Sequence, residues 1–112
     1  MALRPLALAR SIADTLEEAD ADVRLDPRGS LVTRSGSERV GGIEVRPGVG
    51  PPARVAVGME VVGAPEISIP EAAAKARKVV RAECKKSGVR VERVDVTFTD
   101  IDDGAGLLDP EE

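Results

Sequence analysis

The residues whose spacing most invites chemistry are cations. In "PEAAAKARKVVRAECKKSG", Lys75, Lys78, Arg81 and Lys85 recur every three or four positions, which places them along one face of a helix. A stripe of this kind attracts anions such as an acidic protein surface or a phosphate backbone, and makes or breaks no covalent bond by itself. Partners for catalysis are missing. The 112 residues include no histidine, which removes the commonest general base together with every serine–histidine and cysteine–histidine pair. The single cysteine, Cys84, excludes an internal disulfide and a zinc cluster, and reads as a small core hydrophobe. "GG" and "GVG" lack the strand–glycine–helix order and the lysine of a phosphate loop, so they are expected to be turns. "DIDDG" resembles the start of a calcium loop but has neither its pentad nor its closing glutamate, and Asp102 and Asp103 read as solvated acid. The sequence therefore predicts no catalytic, cofactor-binding or metal-binding residue and no enzyme. Its one candidate partner surface is Lys75, Lys78, Arg81 and Lys85.

The charge balance narrows what that surface meets. A net charge of -4 argues against a domain held to nucleic acid by charge. The sign is unevenly spread: Glu71 to Arg90 is positive, while Asp14 to Asp26 and everything from Asp95 onward is negative. Two readings follow. The cations are a solvated face paired with nearby acids, or they are a docking surface for an acidic protein, for the acidic tail of this or a neighbouring copy, or for nucleic acid. With no tyrosine or tryptophan, most base-stacking platforms are gone, which disfavours the last.

The elements that carry these residues can be placed by periodicity. The length fits one domain, and with Phe98 the sole aromatic the core is expected to be aliphatic and modest in stability, helped by self-association. Leu6, Ala9, Ala13 and Leu16, with Ile12 on the flank, predict a helix from Leu3 to Glu18. Val23–Leu25 and Leu31–Thr33 are expected as short strands around a turn at "DPRG", and Val40–Val45 as another, ended by the loop "RPGVGPP". In "ARVAVGMEVV", Val55, Val57, Met59 and Val61 share one face, with Arg54 and Glu60 on the other, where Gly58 permits a bulge or close packing. Ser68 as cap and Pro70 in the first turn open a helix that Gly88 closes, with Ile69, Ala73, Ala76, Val80 and Cys84 turned inward. Val94, Val96 and Phe98 form the inner face of a last strand. Val89 and Val91 have the opposite parity, so a bulge is predicted near Glu92 and Arg93.

Strand, helix, strand is a crossover unit whose two strands should be parallel. The expected fold is α+β, a two-layer sandwich with two helices packed on one face of a small mixed β-sheet. It would span residues 1–101, with an acidic, disordered tail at 102–112. No apolar run approaches a membrane span, and "MALRPLALARSIAD" reaches charge too early for a secretory signal, so a cytoplasmic protein is expected.

The order of elements carries a resemblance. "LARSIADTLEEADADVRL", "GGIEV", "ARVAVGMEVV" and above all "SGVRVERVDVTFTDI", with Gly88, Val91, Val94, Val96, Phe98 and Ile101 at matching positions, resemble the alkaline shock protein family of bacterial envelope stress response proteins. The likeness is to a divergent, actinobacterial-type member, because "VVGAPEISIP" stands where the family usually has tyrosine–glycine before the helix. The resemblance implies a non-enzymatic cytoplasmic protein of envelope homeostasis. It further implies self-assembly into homo-oligomers and attachment near the membrane through a separate membrane-spanning protein partner.

Overall fold

A computed structural model describes residues 4–19, 22–49 and 53–101. The predicted tail at 102–112 lies outside the described residues. Two helices and six strands follow one another as α1 (Pro5–Glu18), β1 (Val23–Leu25), β2 (Val32–Ser35), β3 (Glu38–Gly41), β4 (Ile43–Pro47), β5 (Arg54–Gly63), α2 (Ile69–Lys86) and β6 (Arg90–Ile101). The fold is α+β, as expected.

The first helix begins at Pro5 and not at Leu3, because the proline ring is tolerated at the first helical position and Arg4 before it is extended. Its buried stripe is Leu8, Ala9, Ile12 and Leu16. The expected stripe therefore turns by about one position: Ile12 is at its centre, and Leu6 and Ala13 are half-buried flanks. Leu8, four residues before Ile12, supplies the contact that the predicted set left out.

The spine of the sheet is β5. Along one edge it pairs in parallel with the whole of β6, with Val57 opposite Val94 and Val61 opposite Phe98. Its other edge holds two short antiparallel strands end to end, β4 with Val45 opposite Val57, then β1 with Leu25 opposite Val61. The crossover prediction is correct for β5–α2–β6. The short strands around the "DPRG" turn are also found, as β1 and β2, with β2 starting at Val32. The turn forms with Asp26 Oδ1 accepting the Arg28 N–H at 3.0 Å, and it leads β1 away from β2. β2 pairs with β3 in a separate two-stranded sheet. Val40–Val45, expected as one strand, is two, because Gly42 takes φ +83 between them. A Cβ there would stand 2.9 Å from both the N and the O of Asp26, so the bend needs glycine on two counts.

Two extra residues bend β6. The register with β5 skips Glu92, where a bulge is predicted, and also Thr99, where none is. Gly58 carries no bulge. It is covered by Leu31, whose Cδ1 lies 3.4 Å from the position a Cβ would take, so the close-packing alternative describes it.

The second helix keeps its predicted signals. Ser68 Oγ accepts the Glu71 N–H at 3.5 Å. At the far end Gly88 has φ +72, and Gly88 N–H and Val89 N–H donate to Lys85 O and Cys84 O, the paired bonds of a glycine-terminated helix. Ala72, Ala73, Ala76, Val80 and Cys84 are buried. Ile69 is not: it is 46% exposed, since a side chain in the first turn points back beyond the helix start. One aliphatic core joins Ala72, Ala76, Val80 and Cys84 to the α1 stripe, Ile43, Val45, Val55, Val57, Met59, Val61 and Val94.

Candidate interaction surface on the second helix

The small inward side chains of α2 fix where its cations go. With Ala72, Ala73, Ala76, Val80 and Cys84 packed on the core, Lys75, Lys78, Arg81 and Lys85 are all exposed on the opposite arc. The structure thus brings the four predicted residues onto one surface, but it does not treat them alike. Lys75 Nζ lies 2.7 Å from Asp22 Oδ2, an ion pair that ties the helix to the segment leading into β1. Lys78, Arg81 and Lys85, at spacings of three and four, form the continuous part of the stripe.

Neighbouring cations are turned to intrachain work. Arg77 is half-buried, and its Nε donates to the Val94 carbonyl of β6 at 3.4 Å. Lys86 Nζ lies 3.2 Å from Glu83 Oε2. Glu83 is the surprise on this helix, a carboxylate 7% exposed at a position that helical spacing alone left unplaced. Beside it Cys84 is fully buried, and burial first, then the Glu83 charge, pushes its thiol up to about 11. A thiol held protonated in an aliphatic core is inert, which agrees with its reading as a hydrophobe.

Like charges at these spacings repel by a few tenths of a kcal/mol per pair, which lowers the stability of a free helix. Near the carboxyl end the macrodipole offsets part of this for Lys85. An anionic surface laid along the stripe would relieve the rest. Among the described residues no cluster of histidine, cysteine and acids is arranged to hold a metal ion.

A second polar site escaped sequence reasoning. Asp26, 5% exposed, accepts from Thr99 Oγ1 at 2.7 Å and from the Arg28 N–H, and the Thr99 bond first, then the Arg28 backbone bond, holds its carboxyl below the ordinary 3.8. Glu60 Oε1 accepts the Leu31 N–H at 2.9 Å. Thr33 Oγ1 donates to Ile43 O at 2.9 Å and accepts from Val45 N–H at 3.1 Å. These three side chains fasten the 26–33 segment to the sheet. The turn signal of "DPRG" was visible; the partners, 73 residues away for Thr99 and 29 for Leu31 with Glu60, carry no local signature. No helix among the described residues is long and apolar enough to cross a membrane. A scan against protein families found no match for this chain, and searches of curated proteins and of solved structures found none either.

Proposed function

We propose that this chain is a non-enzymatic structural or adaptor protein of cell-envelope stress homeostasis that acts through protein–protein contacts and self-association. Its docking stripe for an acidic partner is Lys78, Arg81 and Lys85, with the paired Lys75 at its margin. The observation that carries the reading is the contrast on α2: a face of small residues anchored in the core, and behind it a run of solvent-facing cations on a rigid, doubly capped helix. Nothing on this surface supplies a base or a nucleophile. The envelope assignment rests on the resemblance to the alkaline shock protein family, and with it the expectation of a cytoplasmic protein held near the membrane by a membrane-spanning partner.

The test is differential. Capture from a membrane extract by the wild-type chain is compared with capture by a triple variant, Lys78→Glu, Arg81→Glu and Lys85→Glu, whose changed side chains are exposed and leave the core intact. A partner retained by the wild type, released by salt and lost to the variant is the expected result. Equal retention by both chains would remove the stripe from the proposal. Titration with a short duplex separates out the nucleic-acid alternative, which requires measurable binding that weakens as salt rises.

A further inference from the structure

Among the described residues one edge of β6 has no neighbouring strand, and the backbone shows which groups lie on it. Gly48 N–H donates to Arg54 O, Asp26 N–H to Glu60 O, and Glu60 N–H to Gly42 O, so the even-numbered backbone groups of β5 face β4 and β1. Its odd-numbered groups therefore face β6. With Val57 opposite Val94 and Met59 opposite Val96, the parallel ladder uses Arg93, Asp95 and Thr97, and turns the N–H and C=O of Val94, Val96 and Phe98 outward. Among the described residues no strand pairs with that side. The outer edge of β4 is closed differently, by the Thr33 hydroxyl on Ile43 and Val45. At β6 the corresponding contact is the 3.4 Å bond from Arg77 to Val94 O, which leaves the second lone pair of that carbonyl available.

Free edges are commonly disguised by bulges and charge. Here the bulges at Glu92 and Thr99 bracket a regular stretch, Arg93 to Phe98, and the charges within it are self-complementary. Arg93 and Asp95 flank Val94 on the exposed face and pair with each other at 2.8 Å. A two-fold axis through Val94, perpendicular to the sheet, sets Arg93 of each copy opposite Asp95 of the other. An axis through Asp95 would oppose two carboxylates, and one through Val96 would pair Asp95 with Thr97. Cross-strand charge therefore selects the Val94 register. On the opposite face Val94 would meet its own counterpart.

We propose that the β6 edge is the interface for a second copy of this chain, pairing antiparallel about Val94 and continuing the sheet across the joint. This supplies the self-association part of the adaptor reading and rests on it.

The test uses charge exchange at two exposed positions, read by light scattering on a sizing column against the 11.7 kDa chain mass. Wild type is expected to be dimeric. Arg93→Asp and Asp95→Arg should each weaken the dimer about tenfold or more, the double exchange R93D/D95R should restore it, and an equimolar mixture of the two single variants should form a heterodimer. Amide exchange gives a second readout: the Val94 amide, which bonds its own counterpart in this register, should be slow in the dimer and fast in Arg93→Asp. An oligomer indifferent to the exchanges would overturn the β6 interface and leave self-association standing. A wild-type chain that stays monomeric at every concentration would overturn both.

Discussion

Replacing Thr33 by valine tests how the outer edge of β4 is closed. The side chain is 5% exposed, and its hydroxyl donates to Ile43 O at 2.9 Å while accepting from Val45 N–H at 3.1 Å. Those two backbone groups point away from β5, so a strand edge that lacks a neighbouring ladder is satisfied by one side chain. Valine keeps the volume and the β-branching and removes the oxygen. It leaves a buried donor and a buried acceptor unpaired, and with a cost of about 1–2 kcal/mol for each of these neutral groups the expected loss is about 2–4 kcal/mol. Serine keeps the oxygen and deletes one methyl, a loss of about 1 kcal/mol. For a urea slope of about 1–2 kcal/mol/M the valine midpoint should fall by about 1–4 M and the serine midpoint by about 0.5–1 M. Far-UV circular dichroism is the probe to use, since the chain has no tryptophan or tyrosine. A valine variant no less stable than the serine variant would refute the argument, because the hydroxyl would then contribute nothing beyond its bulk.

Acid should act on the chain through Asp26. Its folded pKa lies below the ordinary 3.8, so the stability its charged form contributes is present above that value and is lost as the pH falls through the folded pKa. Asp26→Asn should flatten the loss of stability between neutral pH and pH values below 3.8, measured by urea titration at each pH; an unchanged acid slope would contradict this. Cys84, with its thiol near 11 and no exposed surface, should be silent to a thiol-reactive chromophore in native buffer near pH 8 and react about a hundredfold or more faster in urea. Immediate stoichiometric reaction of the native chain would contradict its burial.

What was legible in the sequence is what neighbouring residues decide. Ser68, Pro70 and Gly88 bound α2 because caps and helix termini are local chemistry, and the parity change between Val91 and Val94 announced the bulge at Glu92 because strand faces alternate with period two. The same parity change stands between Phe98 and Ile101 and marks the Thr99 bulge, a sign the sequence reading did not use. β1 and β2 were legible as short strands around a turn, whereas the strand each of them pairs with was not. The polar segment between them is fastened across the sheet, by Asp26 to Thr99 and by Glu60 to the Leu31 backbone. Such partners are chosen by tertiary placement, and no spacing rule encodes them. The cation stripe was legible as a stripe, whereas the pairing of Lys75 with Asp22 needed the folded chain.

The two sides of the sheet differ in how their polar groups are satisfied, and that difference bears on function. On the β4 and β1 side, Thr33, Asp26 and Glu60 take up backbone groups that would otherwise be stranded, and they do so with little exposure to water for the first two. On the β6 side the twelve-residue strand Arg90–Ile101 is closed at Val94 O by a long bond from the neighbouring helix. Among the described residues the longer margin thus has the weaker closure. Under the two proposals, that margin and the neighbouring helix would offer two contact surfaces: a backbone edge for a second copy and a charged stripe for an acidic partner. Pairing at the first leaves the second exposed, since the cations lie on the arc of α2 turned away from the sheet. A dimer built in this way would carry two stripes, and a partner with two acidic segments would bind it more tightly than it binds the monomer.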